Sequence, residues 1–401
     1  MSESSGNTWQ RNLWAIFVAE LLVMIGFSFV FPFLPLYIEK LGHYTVQQAS
    51  VWAGIAEGAG GIGMFISSPI WGILADRYGK KPMVLRAMFG GAITVALLAI
   101  APNVAFILGM RFIQGVFSGT VAAASALVAS MTPSNKRPFA MGVLMTAIYI
   151  GNSVGPLIGG YAADKLGFTI TFIITGALLA SGGLIILFMV KEKFEPPKAK
   201  EKVSLKSVIK MAGSPQILPL LVIQFCLYAG PNMVAPIIPL LMQQLNPLGD
   251  AATAAGIAIA IAGAMAGITA TIVGRLGERV PIKTILMVCC FGTALAYIPP
   301  LFVTTVPQLT VFIGLRGLVN GGITTTSYTL LSLSVPENKQ GIIFGLGQSA
   351  TSLGNGIGPL VGGALGSSIG LKHVFAFTTA MYLLATVLII FTLPKKSRQS
   401  L

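Results

Sequence analysis

Gly151-Asn152-Ser153-Val154-Gly155-Pro156-Leu157-Ile158-Gly159-Gly160 returns 203 positions later as Gly354-Asn355-Gly356-Ile357-Gly358-Pro359-Leu360-Val361-Gly362-Gly363. The surroundings return with it. Pro133, Asn135 and Lys136 correspond to Pro336, Asn338 and Lys339. Gly26, Pro32 and Pro35 recur 204 positions on as Gly230, Pro236 and Pro239, and Asp76-Arg77 recurs 202 positions on as Glu278-Arg279. Arg111 has a counterpart in Arg316 at an offset of 205. Offsets held between 202 and 205 over half a chain mark an internal duplication.

Composition says what is duplicated. Of 401 residues 54% are hydrophobic and only 9% charged, with a mean hydropathy of +0.82. A soluble domain carries roughly 25% charged residues, which keep its surface wet. Here most of the surface must face something other than water. Apolar runs near the ~20 residues that cross a bilayer recur at 13–38, 48–74, 83–101, 104–131, 139–163, 169–190, 215–242, 252–276, 284–303, 308–334, 341–367 and 373–393. Backbone amides in lipid must bond internally, so each run is expected to be a helix. The chain thus reads as an all-α membrane protein, its twelve transmembrane helices forming two pseudo-symmetric six-helix bundles, 1–190 and 215–401. A basic linker, 191–214, joins them. The first apolar run is too long for a cleavable signal peptide.

The net charge of +14 would suggest nucleic acid in a soluble protein, but its placement argues for topology. Among 26 Lys and Arg, only Lys40, Lys165 and Lys372 fall on the loops of one side, and Arg111 and Arg316 lie inside spans. The others fall on the opposite side, which the positive-inside rule makes cytoplasmic, with both termini. Cys226, Cys289 and Cys290 all lie in apolar runs, and His43 and His373 near span ends, so no metal site or disulfide framework is expected. Gly58-Ala59-Gly60-Gly61-Ile62-Gly63 satisfies G-x-G-x-x-G. A dinucleotide fingerprint needs a preceding strand, however, and this one sits inside an apolar run. With no P-loop either, no cofactor is expected and an ion gradient is the expected energy source.

Three local motifs carry a family resemblance. Gly72-Ile73-Leu74-Ala75-Asp76-Arg77-Tyr78-Gly79-Lys80-Lys81-Pro82 resembles the loop motif between helices 2 and 3 of the major facilitator superfamily. Leu108-Gly109-Met110-Arg111-Phe112-Ile113-Gln114-Gly115 resembles its fourth-helix motif. The Gly-Pro-x-x-Gly-Gly segment resembles that of its twelve-helix drug:proton antiporters. The resemblance covers nearly the whole chain. It implies a monomeric bacterial plasma-membrane exporter that exchanges protons for amphipathic, often cationic, organic compounds by alternating access. The alternatives are an exporter of one natural product (a sugar, siderophore or antibiotic) and a non-transporting membrane sensor. A sensor would be expected to carry a sizeable soluble domain, whereas the linker here is short.

Each motif then has an expected task. The resemblance implies that Asp76 faces the positive N-terminal end of helix 11, near Gly341, with Gly72, Arg77, Gly79, Lys80 and Lys81 completing a cytoplasmic latch. In the second half Pro281 and Ile282 stand where Gly79 and Lys80 stand in the first, so that latch is degraded. Gly151, Gly155, Gly159 and Gly160, with Pro156, allow a close helix contact, as do Gly354, Gly358 and Pro359. Charges inside spans are functional by default, which singles out Glu20, Glu57, Arg111 and Arg316 for proton or substrate coupling. At 1.5 Å per residue, Glu57 lies ~14 Å and Arg111 ~10 Å from the outer ends of their helices, so the two are expected to pair. Glu20, ~10 Å above the inner end of the first run, is the leading proton-exchanging group. Phe27, Phe31, Tyr37, Gln114, Tyr228, Asn232 and Met233 are candidates for an adaptable cavity wall.

Overall fold

The computed structural model describes residues 3–133, 136–192, 210–277, 279–333 and 340–392, and every regular element among them is helical. The first half contains α1 (Glu3–Val30, a 3-10 turn at Phe31–Phe33, then Leu34–Gly42), α2 (Val46–Tyr78) and α3 (Lys80–Leu98). It continues with α4 (Val104–Phe117 and Thr120–Met131), α5 (Arg137–Leu166) and α6 (Phe168–Met189). The second half repeats the plan with α7 (Leu218–Val234 and Ile237–Leu245), α8 (Ala251–Leu276) and α9 (Ile282–Ala296). It closes with α10 (Val306–Asn320 and Ile323–Leu333), α11 (Gln340–Ser368) and α12 (Val374–Thr392). Among the described residues ten spans are long and apolar enough to cross a bilayer. The other two, α10 and α11, are richer in Gly, hydroxyl and amide residues. They face protein and a cavity as well as the apolar surround.

The interruptions have local causes. Pro32 and Pro35 in α1 and Pro236 in α7 supply no backbone N–H, and these two helices break at the same relative place. α4 breaks at Gly119, whose φ of +107° suits a residue without a side chain. Arg86 steadies that break: its Nη2 donates to the Ser118 carbonyl at 3.1 Å and its guanidinium lies 4.0 Å over the Trp71 ring. Gly79, at φ +98°, makes the sharp turn from α2 into α3.

Two helices run further than the hydropathy predicts. α1 starts at Glu3 rather than 13. Asn12 exchanges two hydrogen bonds with the Lys191 backbone, at 3.0 and 3.3 Å, tying the start of α1 to the end of α6. α2 continues to Tyr78, so Asp76 lies in its last turn rather than beyond it.

The helices alternate between two faces. The near face carries the start of α1 and the turns at 79 and 132–133. The far face carries the turns at 43–45, 99–103, 246–250 and 303–305. The halves join along two seams, α2 against α11 and α5 against α8. Both seams set backbone on backbone. A Cβ added at Gly54 would strike the Pro359 carbonyl, and one at Gly160 the Ala252 carbonyl. Further along the same helices toward the near face, a Cβ at Gly72, Gly142, Gly267 or Gly345 would meet nothing within 4 Å. The halves therefore touch over their far part and diverge toward the near face.

Candidate functional site

The divergence leaves a cavity of about 1110 Å³ between the halves. Drug-sized pockets run to roughly 1,000 Å³, so it has room for such a compound. Met24, Phe27 and Phe31 of α1, Met64 of α2, and Met145 of α5 give it an apolar, deformable wall. Ser28, Gln114, Asn232 and Gln348 add polar points, and Glu57, Arg111 and Arg316 add charge.

The expected pair is present. Arg111 Nη2 lies 2.5 Å from Glu57 Oε2, and Arg111 Nη1 donates to Gln114 Oε1. The guanidinium also sits 4.3 Å over the Phe31 ring. The arginine side chain is only 9% exposed against 25% for the carboxylate, so the Glu57 end faces the cavity. The backbone of Gly60 passes close beneath the arginine's helix: a Cβ added at Gly115 would strike the Gly60 carbonyl, so glycine at 115 lets α4 approach α2 closely here. Glu20 is elsewhere: it is fully buried in α1 and does not line the cavity. Neither of its carboxylate oxygens has a hydrogen-bond partner of good geometry, although the Thr120 hydroxyl of α4 lies alongside.

Arg316 finds a partner that the sequence did not indicate. Its Nη1 donates to the hydroxyl of Tyr297, the residue that caps the end of α9, at 3.0 Å. The structure also revises its place in the repeat. Gly115 packs on Gly60, and Gly317 packs on Ala262. Both steps are 202 residues, since 317 − 115 and 262 − 60 agree. In that register Arg316 stands where Gln114 stands, and Ile313 stands at the place of Arg111. The offset of 205 matched residue type alone, whereas close backbone approach sets the true register.

The paired motifs each serve two contacts. Gly151, Gly155 and Gly159 pack on Met24, Ile25, Ser28 and Phe29 of their own half, while Gly160 and the Pro156 carbonyl face Ala252 and Gly256 of α8. In the second half Gly354 and Gly358 pack on Phe225, Tyr228, Ala229 and Asn232, while the Pro359 carbonyl faces Gly54 of α2. Their asparagines were missed as candidates. Ser28 Oγ donates to Asn152 Oδ1 at 2.7 Å, and Asn232 Nδ2 donates to Asn355 Oδ1 at 2.9 Å.

Three cavity candidates lie elsewhere. Tyr37 is buried in the first half, donating to the Leu98 carbonyl and packing on Phe168 and Phe172. Met233 is buried and, like Tyr228, does not line the cavity, whereas Phe27, Phe31, Gln114 and Asn232 do. Helical aromatics do not declare which face they occupy. The loop lysine Lys81 does not reach across the halves. Its Nζ donates to the Leu187 and Val190 carbonyls at the end of α6, at 2.8 and 2.7 Å. The backbone N–H groups of Lys80 and Lys81 are capped by the Glu192 carboxylate, so these residues join α3 to α6. Arg77 is exposed, its guanidinium 5.3 Å from the Tyr78 ring centroid. The side chains of Asp76 and Gly341's neighbours lie outside the described residues.

The far face carries an unforeseen closure. Asp164 at the end of α5 accepts from both the backbone N and the hydroxyl of Thr253, each at 2.7 Å, and so caps α8 of the other half. Beside it Lys165 pairs with Asp250 at 2.8 Å. Gln243 of α7 donates to Glu39 of α1 at 3.1 Å, and Ser50 of α2 to the Gly363 carbonyl at 3.1 Å.

Known proteins of the same build accord with this geometry. The chain is 34% identical over 377 residues to the multidrug resistance protein MdtG of Citrobacter koseri, covering 94% of this chain and 93% of that one. It is 33% identical over 381 residues to the multi-drug resistance efflux pump PmrA homolog of Lactococcus lactis, covering 94% of each. Its fold resembles that of the nucleoside transporter NupG, with a TM-score of 0.75 at 14% identity over 95% of this chain and 100% of that one. A bacterial homolog of the human lysosomal transporter Spinster gives a TM-score of 0.74 at 15% identity over 98% and 97%. Profile matching covers residues 16–223 and again 220–401, one match per half. The chain belongs to the Major Facilitator Superfamily, a family of transporters rather than enzymes.

Proposed function

We propose that this protein exports amphipathic organic compounds from the cytoplasm in exchange for protons, with no cofactor. The observation that carries the proposal is the cavity: it lies between duplicated halves, is sealed by backbone seams at the far face and widens toward the near face. The asymmetry of Lys and Arg assigns the near face, with both termini and the 191–214 linker, to the cytoplasm. The conformation is then open to the cytoplasm, ready to load, and tilting the bundles 1–190 and 215–401 would expose the same cavity outside. A wall of Met and Phe supports acceptance of varied shapes, in keeping with the names of the relatives.

Glu20 is the proposed proton carrier. An ionised carboxylate buried without hydrogen bonds is costly, so its protonation is tied to whether water or a partner reaches it as the halves move. Glu57 is the second carrier, held against Arg111. The test is dye accumulation in inside-out vesicles or proteoliposomes under an imposed pH gradient. Wild type should accumulate dyes, and Glu20→Gln should lose gradient-driven accumulation by about tenfold or more while still exchanging dye down its own gradient. Full gradient-driven accumulation by Glu20→Gln would remove the proton role.

A further inference from the structure

The cavity's charges do not cancel. Among its described lining residues the charged ones are Glu57, Arg111 and Arg316. Glu57 and Arg111 neutralise one another, and Arg316 is left over. In the register fixed by the α2–α4 and α8–α10 contacts, the first half's cluster of Glu57, Arg111 and Gln114 becomes Ile259, Ile313 and Arg316 in the second half. The duplication has therefore replaced an ion pair with two isoleucines and placed a guanidinium at the site of an amide. Ile259 lines the same cavity as Arg316.

The hydrogen bonds of Arg316 point the same way. Tyr297 takes only Nη1. Nε is buried without a partner, and the edge formed by Nε and Nη2 is engaged by no described residue. That edge is a two-pronged donor whose geometry matches the two oxygens of a carboxylate or similar oxyanion. The Tyr297 ring, itself 5.7 Å from the Tyr382 ring centre, backs the guanidinium and fixes its direction.

Resting on the export reading above, we propose that Arg316 docks an oxyanion group of the transported compound, so that the cavity selects amphipathic anions and zwitterions over simple cations. This departs from the cation preference expected from family resemblance. The docked group supplies the negative partner that the second half lacks, and the Met and Phe wall holds the apolar remainder.

The experiment compares two dyes of similar size and opposite charge, a carboxyfluorescein and a rhodamine ester, by fluorescence polarisation on the purified full chain and by vesicle accumulation. Wild type should bind the anion more tightly. Arg316→Gln should weaken anion binding about ten- to a hundredfold and strengthen the cation, and Arg316→Lys should recover part of the anion affinity. Ile259→Glu, which returns the first half's carboxylate to the second, should shift the preference toward the cation with Arg316 intact. That variant separates a docking role from a role in holding α10 on α9. Unchanged anion affinity in both Arg316→Gln and Ile259→Glu, with dyes still exported, overturns the docking role and leaves the exporter standing. No binding or export of either dye by wild type overturns both.

Discussion

Substituting Gly54 by alanine should tip the protein away from the arrangement seen here. The added methyl group meets the Pro359 carbonyl, with the Gly363 Cα at 3.1 Å and the Pro359 carbonyl carbon at 3.2 Å. All are backbone atoms of a packed helix, so no side chain can rotate aside, unlike at Gly58, where the Leu360 side chain takes part of the contact. Overpacking of this kind costs about 1–3 kcal/mol. If the far seam opens when the near face closes, the methyl group is accommodated there, and the cost falls on one state only. At about 1.4 kcal/mol per tenfold, the equilibrium moves by roughly five- to a hundredfold. In a background with Cys226, Cys289 and Cys290 replaced, a cysteine at Ser68, which lines the cavity, reports the shift. The ratio of near-side to far-side labelling by an impermeant maleimide should fall by that factor. A ratio that holds or rises would refute the idea that the seam is what closes the far face.

Other outcomes follow from the site. Glu57→Gln and Arg111→Ala should show a coupling of about 1 kcal/mol or more in a double-mutant cycle on thermal stability, because either single change leaves the other group unsatisfied in an apolar wall; additive effects would dissolve the pair. Asp164→Ala removes a cap on α8, typically worth about 0.5–2 kcal/mol, and should raise far-side labelling of the cavity. Lys165→Ala should leave it within error, because that pair is half exposed at 49% and 52% and is screened by solvent. Equal effects would show that charge, rather than capping, holds the far face.

Much of this was legible in the sequence because it depends on spacing along one helix. Apolar runs, repeated glycines and prolines, and the depths of Glu57 and Arg111 are all set by helix rise and bilayer thickness, and the structure bears out their consequences. What failed depended on direction. Tyr37 sits on an aromatic-rich helix, but its face is chosen by α3 and α6 rather than by anything local. Lys81 is expected in the cytoplasmic latch, yet its ammonium bonds the carbonyls at the end of α6 in its own half. The Asp164–Thr253 cap joins residues 89 apart in different halves, and no local signature announces it. The pairing of Arg111 with Arg316 was a coincidence of residue type three positions out of register.

The glycine-lined seams have a consequence for how such a protein can diversify. Where these surfaces meet through carbonyls and α-carbons, few side chains interlock, so under the proposed motion they would slide as a bearing. Under the proposed rocking motion, the joint and the walls that meet the cargo are built from largely separate residues, with Pro359 shared between them. New cargoes can be accommodated by exchanging wall side chains while the joint stays as it is.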